Sequence, residues 1–408
     1  MLALRNAHLG VAAPPGGPLF DLLARDGRLA AIGPAGTLPL PPGARVLDAR
    51  GGLVVPCFAD IHTHIDKTHV VAETGAAAGD LFAAIGRMAA HRATWTADQV
   101  ASRMERALGE AWSWGTRMLR THLDWPAVEA PLALEVFADK RRHWAGRVEL
   151  QAVSLTPLEV LGEGDAAARV ARALRAAGAA MGAFVYRQAD LEARLGRVFR
   201  AAADAGIALD LHVDEGLDAD AAALASVARL ARAHGLAGRV VCGHACSLAM
   251  QPRAQALATL DACAAAGVTL VALPTTNAYL QGSWDETPVE RGITRVAEAR
   301  AAGVRVCFAT DNVADCFYPY GGYDLVDIFD KAVLLAHLRD PAAWLDAITV
   351  APAAAMGAPD APFAPGAGAD WVVFAARGAA GLLAPEGRAR ARRTVIRNGG
   401  IVDDRTPH

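Results

Sequence analysis

The sequence predicts an α/β protein, a (β/α)8 TIM-type barrel with a small β-sandwich domain built from both chain termini. Three observations carry this expectation. Short β-like runs alternate with long alanine-rich helical stretches through the middle of the chain. Several of those runs finish in a histidine or a carboxylate. Both chain ends read instead as short strands joined by tight turns. The expected division is residues 1–50 plus 360–408 for the sandwich and 51–359 for the barrel.

The N-terminal strands are read from LALRNAHLG, LFDLLARDGRLAAIG and ARVLDARGGLVVP, with Asp26-Gly27 inside the second. The C-terminal ones are DWVVFAA and RTVIRNGGIV, the latter around Asn398-Gly399-Gly400. Asp-Gly and Asn-Gly between alternating apolar residues are hairpin signals, so the two ends are expected to pair into one β-domain.

The middle contains eight β-like runs: GLVVPCFADIH, TRMLRTHLD, VELQAVSL, GAFVYR, IALDLHVDE, RVVCGHAC, VTLVALPTT and VRVCFATDN. Segments such as DAAARVARALRAAGA, LEARLGRVFRAAADAG and ADAAALASVARLARAHG separate them, with apolar spacing suited to helices and glycines placed as stops. Eight alternations over roughly 260 residues match the usual barrel length of about 250. The stretch 70–114 is longer than one helix needs and is expected to add active-site elements.

Composition narrows the function classes. The 408 residues are 53% hydrophobic and 20% charged, with a formal charge of −3. So small a net charge gives no electrostatic basis for a nucleic-acid or anionic-membrane partner. Arginine greatly outnumbers lysine, which occurs only at Lys67, Lys140 and Lys331. The six cysteines lie mostly in apolar runs without zinc-ribbon or redox spacing, and read as reduced core residues. The N-terminus is broken by APPGG before a signal-peptide core forms, and no apolar run reaches spanning length. A cytoplasmic location is expected.

In such a barrel the active site lies at the C-terminal ends of the strands. Run one finishes at His62 and His64, run five at His212 and Glu215, run six at His244 and run eight at Asp311. Alternate residues on a strand point the same way, so His62 and His64 can face one point in the barrel mouth. Imidazole nitrogen with carboxylate oxygen suits a divalent ion such as zinc or iron. A lone histidine at any of these places would more often be a hydrogen-bonded buried residue; their joint placement on strand ends makes the metal case. His69 and His122 fall near enough to touch substrate. His8, His91, His143, His234, His337 and His408 read as loop, helix or terminal residues.

With these motifs the chain resembles the amidohydrolase superfamily, and within it the bacterial cytosine deaminase-like family. The resemblance rests on PCFADIHTHIDKT, LRTHLD, LDLHVDE, LQGSWDETPVERGITRV and CFATDNVADCFYPYGG. It implies that His62, His64, His212 and Asp311 bind one divalent metal, Zn or Fe. It implies that Glu215 moves protons and that His244 polarises the substrate or orients the attacking hydroxide. Dinuclear members bridge their metals with a carboxylated lysine on a middle strand; GAFVYR has none, so a single metal is expected. In the expected mechanism the metal would supply water of lowered pKa, Asp311 would accept a proton as that water attacks an amino-bearing carbon, and Glu215 would protonate a ring nitrogen and then the departing amine.

Substrate recognition departs from that family. Its glutamine after the third strand aligns with Pro157, with Thr156 as a partial substitute. Its second consecutive aspartate is Asn312 here, and its tryptophan is Phe317. Lys67 has no counterpart in cytosine deaminase but matches N-isopropylammelide isopropylaminohydrolase at HTHIDK. Two roles are open for it: an anchor for an anionic or polarised substrate oxygen, or an ion pair with Asp66 or another carboxylate. The expected activity is hydrolytic deamination of a small heterocycle of the cytosine, isocytosine or aminotriazine type, with creatinine-like rings and pterins also candidates. The alternatives are a cyclic amide or imide hydrolase and a non-catalytic ligand-binding relative. The expected partner is a small heterocyclic molecule, with homo-oligomerisation common among relatives.

Overall fold

The computed structural model describes residues 1–11, 17–77, 81–359, 361–384 and 393–402. Most of the APPGG break, part of the expected 360–408 segment, and His408 lie outside the described residues. The chain divides into two compact units, Met1–Ala59 with Gly109–Met118 and Asp324–His408, and Asp60–Leu108 with Leu119–Tyr323.

The first unit is built on β1 (Leu2–Leu9), β2 (Phe20–Arg25), β3 (Arg28–Pro34), β4 (Arg45–Asp48) and β5 (Leu53–Pro56). Strands from the other chain end complete it, so both termini contribute to one β-domain. β2 and β3 are joined by Asp26 and Gly27 at φ 51° and 76°, the left-handed pair a two-residue hairpin demands. β1 pairs with β4 over Leu2–Arg5, with β2 from Leu2 to Ala7, and with β5 through His8 and Leu9. A register shift between Leu4 and Ala7, with Asn6 at φ 55°, lets it pass from one leaf to the other. Leu2, Leu4, Leu22, Val54, Trp371 and Ile396 from both leaves meet in one buried core.

The barrel consists of β6 (Phe58–Thr63), β7 (Thr116–Asp124), β8 (Glu149–Pro157), β9 (Ala183–Val185), β10 (Leu209–Val213), β11 (Val240–His244), β12 (Thr269–Ala272) and β13 (Arg305–Phe308). They neighbour one another in chain order, and a parallel bridge between Thr63 and Asp311 links the last strand back to the first. All eight runs expected from the sequence are strands. The first run, however, divides at Cys57: β5 pairs with β1, whereas β6 starts the barrel. Pro56 at the break lacks the N–H that a continuous strand would donate.

The alanine-rich connections are helices, and glycine ends them where expected. Helix Ala166–Ala177 stops at Gly178 with φ 63°, and helix Leu191–Ala205 at Gly206 with φ 68°. Residues 70–114 hold helices Val71–Thr74, Leu81–Arg92 and Ala97–Trp114. The remaining strands are β14 (Trp371–Phe374), β15 (Arg393–Arg397) and β16 (Gly400–Ile401), the last two turning at Asn398 and Gly399, φ 47° and 71°. All six cysteines are buried and form no disulfide. Among the described residues no helix is long and apolar enough to cross a membrane.

Candidate active site

The polar strand ends converge. His62 closes β6 beside Thr63, with His64 just beyond; His212 is on β10 and His244 is the last residue of β11. Asp311 follows β13. His244 and Asp311 have φ of 68° and 59°, an uncommon backbone region for residues of their size. The bend at Asp311 is held by its N–H donating to His62 O at 2.9 Å and by Thr63 Oγ1 donating to its carbonyl at 2.9 Å. Backbone tension of this kind persists where the surroundings over-determine it, and it aims side chains into the mouth.

Four atoms define one point. His62 Nε2 lies 3.2 Å from His212 Nε2, which lies 3.4 Å from His64 Nε2. Asp311 Oδ1 is 3.2 Å from His64 Nε2 and 3.6 Å from His62 Nε2. Donors about 2.0–2.1 Å from a tetrahedral ion sit roughly 3.3 Å from each other. The separations therefore fit a shared cation, and three imidazoles with one carboxylate suit a borderline divalent ion. The protonation states agree. Burial, reinforced by neighbouring imidazoles, holds His62 and His212 well below the usual histidine range, so they stay neutral. Burial and the Lys67 ammonium likewise lower His64, despite the opposing Asp311. Its Nδ1–H donates to the His122 carbonyl at 3.2 Å, which turns the Nε2 lone pair towards the cluster. Burial alone would raise Asp311, but His64 and His244 bring it below the ordinary carboxylate value, so it remains ionised. Gly243 makes room for this: a Cβ there would sit 2.7 Å from His62 Cε1.

Glu215 and His244 stand beside the cluster. Glu215 is 4% exposed, and burial together with the Asp311 charge pushes its carboxyl well above the usual range. Its Oε1 lies 3.3 Å from His244 Nδ1. The Asn277 amide Nδ2 is 3.0 Å from the same nitrogen. An amide donating to Nδ1 leaves the proton of His244 on Nε2, which is buried without a partner. Burial lowers this imidazole to about 4, so it is a neutral donor at physiological pH.

His212, Glu215, His244 and Asp311 line a cavity of about 310 Å³, together with Lys67, Asn312 and Phe317. Apolar groups from helix Leu81–Arg92, Met88 among them, complete the wall with Phe184. Lys67 is almost fully buried and pairs with Asp124, Nζ to Oδ1 3.0 Å, while its ammonium sits 4.6 Å from the Phe317 ring centroid. Asp124 Oδ2 also accepts from Arg92 at 2.7 Å. Burial opposes the charge on Lys67, yet Asp124, Asp66 and Asp315 outweigh it and raise its pKa. Asp66, the sequence neighbour, uses Oδ2 to accept the Asp124 backbone N–H instead. Asn312 donates to Asp315 at 2.7 Å, and Asp315 in turn accepts the Phe317 N–H, so one carboxylate shapes that wall.

Two expected substrate contacts lie elsewhere. His122 is fully buried, its ring centroid 4.0 Å from that of His62 and its Nε2 3.6 Å from Asp210 Oδ1, in a polar layer also braced by Arg120. Thr156 is fully buried on β8, whereas its neighbours Leu155 and Pro157 line the cavity, as strand alternation requires. Sequence alone does not single out Asn277, Asp124 or Arg92. Asp124 carried the signal used for the others, a carboxylate at a strand end.

Residues 115–403 match the sequence model of the amidohydrolase family. The chain is 39% identical over 394 residues to a pterin deaminase of Rhizobium rhizogenes, covering 95% of this chain and 88% of that one. Its fold is similar to 5-methylcytosine deaminase from Klebsiella pneumoniae liganded with 5-fluorocytosine, with TM-score 0.85, 25% identity, and 99% and 98% of the two chains covered. It is similar also to N-isopropylammelide isopropylaminohydrolase from Burkholderia multivorans, with TM-score 0.77, 28% identity and 98% of each chain covered.

Proposed function

Because the chain belongs to the amidohydrolase family, we propose that it is a metal-dependent hydrolytic deaminase acting on a small nitrogen heterocycle, pterin-type rings first among the candidates. The observation that carries this reading is the Glu215–His244–Asn277 arrangement set against four convergent donor atoms at one end of a mostly apolar cavity. Similarity to a pterin deaminase over nearly the whole chain supports the substrate class.

His62, His64, His212 and Asp311 would hold one divalent ion, zinc or iron, which when bound supplies water of near-neutral pKa at that point. Asp311, ionised, would take a proton from the water that attacks the amino-bearing ring carbon. Glu215, kept protonated by burial, would give its proton to the adjacent ring nitrogen, then take up the proton of the hydroxyl added to the carbon and pass it to the departing amine. His244 donates from Nε2 to the oxygen that gains negative charge, and Asn277 fixes that tautomer. The apolar wall keeps other water away from these groups.

Lys67 serves two purposes in this reading. It offsets the carboxylate of Asp124 and presents a charged donor to a substrate oxygen. Replacing Lys67 by Met is expected to retain the metal while kcat/KM on the true substrate falls about tenfold or more. Unchanged kinetics would leave Lys67 with the ion pair alone.

The test is ammonia and amine release by metal-replete protein on pterin, cytosine, isocytosine, ammelide and its N-alkyl derivatives, and creatinine. Ammonia from pterin is the expected result. The same groups could open a cyclic amide, in which case the product is a ring-opened acid and no ammonia appears. Silence on the whole panel, with metal bound, overturns the deaminase reading.

A further inference from the structure

Glu215 sits in a tight turn just beyond β10. Gly216 N–H donates to Asp214 O at 3.0 Å, the bond of a γ-turn centred on Glu215. A turn with one bond of its own relies on its neighbours to fix the direction of its central side chain. On one flank, Asp214 N–H donates to Val185 O at 3.0 Å. The Asp214 carboxylate accepts Ala223 N–H at 3.1 Å and Leu224 N–H at 3.0 Å, at the start of helix Ala223–Ala233. On the other flank Gly216 packs so closely on Tyr186 that a Cβ would collide with its hydroxyl.

Ser247 ties these flanks together. It is fully buried in the short helix Cys246–Ala249, three residues beyond His244, and it is not among the residues that line the reaction cavity. Its N–H and its hydroxyl both lie 3.2 Å from Asp214 O, and the hydroxyl lies 2.8 Å from Gly216 O. A serine hydroxyl has one proton to donate. The shorter contact takes it, so the hydroxyl serves Gly216 while the N–H keeps Asp214. One residue thus holds the carbonyls on both sides of Glu215. It also belongs to the segment that carries His244, whose Nδ1 lies 3.3 Å from Glu215 Oε1. Thr294 Oγ1 donates to Ala245 O at 2.8 Å and steadies that segment in turn.

We propose that Ser247 is a positioning residue for Glu215: it locks the turn to the His244 segment, so that the carboxyl and the imidazole keep one spacing through the proton transfers. The role rests on the reading of Glu215 as the proton carrier, and it adds a residue that touches neither the cavity nor the four donor atoms. Without the hydroxyl, the buried Gly216 carbonyl loses its donor and the turn relaxes. Misplacing a reacting group by about 1 Å can cost about 10²-fold in rate, whereas binding draws on the whole cavity wall. The loss should therefore fall on kcat.

The experiment measures ammonia release from pterin and metal content for metal-replete wild type, Ser247→Ala, Glu215→Gln and the double variant. Ser247→Ala is expected to lower kcat about tenfold or more, with KM changed less than about twofold and metal retained. A merely structural loss would move metal content and KM as well. Because Ser247 acts through Glu215, the same substitution should change kcat less than about twofold once Glu215→Gln has removed the proton. Ser247→Cys, which keeps a weak donor, should fall between wild type and Ser247→Ala, and it carries the comparison if the alanine variant does not fold. Wild-type kcat in Ser247→Ala, an equal loss in both backgrounds, or loss of metal together with activity overturns the positioning role alone. Undiminished turnover in Glu215→Gln overturns the proton-carrier reading and the positioning role with it. No ammonia from pterin with the wild-type protein overturns the pterin substrate on which both rest.

Discussion

Glu215→Gln is expected to lower kcat for ammonia release by about 10²–10⁴-fold while metal content stays at the wild-type level. The substitution preserves volume and a hydrogen-bonding end but removes the titrating proton. Glu215 is the buried carboxyl facing His244 Nδ1 at 3.3 Å, outside the four-atom cluster, so its loss should affect chemistry more than metal affinity. The pH dependence follows from the direction of its shift. Burial and the Asp311 charge favour the protonated form well above the usual range. Wild-type turnover therefore persists below that raised pKa and falls as pH rises through it, because the proton owed to the ring nitrogen is then gone. Metal measured alongside kcat separates the two roles: a variant that loses both would place Glu215 in the cation site instead of the proton path.

The parts of this site that sequence makes legible are those written in local geometry. His62 and His64 share a face because strand side chains alternate, and the barrel's strand ends collect His212, His244 and Asp311 without any need to know loop paths. The rest depends on pairings across the fold. Lys67 has a carboxylate next to it in sequence, Asp66, yet its ammonium reaches Asp124, 57 positions away, which also engages Arg92 from the added helix Leu81–Arg92. Asn277 sits beyond the seventh run in a short helix, and only the tertiary fold brings its amide to His244. Thr156 shows another limit: the phase of β8, which puts Leu155 and Pro157 on the cavity side, is not written in its composition. The division of the first run at Cys57 is of the same kind, since the two halves look alike until their partner strands are known.

His212→Ala is expected to abolish metal retention and activity together, and to uncouple stability from metal. Removing one of four donors should cost more than the roughly 10–100-fold in affinity typical of losing an outer hydrogen-bond partner of a ligand. In the wild-type protein a cation bound only by the folded state adds stability that grows with its free concentration, so a strong chelator should lower Tm. In His212→Ala the chelator should change Tm little. Stoichiometry tests the single-ion reading in the same samples, with about one equivalent expected. A second ion would need donors beyond these four. One further set joins His62 and His122 to Asp210, but Arg120 donates to Asp210 Oδ2 at 2.8 Å, so a guanidinium already offsets that carboxylate and its charge opposes a second cation beside it. Two equivalents of tightly held metal would contradict that reasoning. Full retention of one equivalent by His212→Ala would remove His212 from the ligand set and leave His62, His64 and Asp311 as its core.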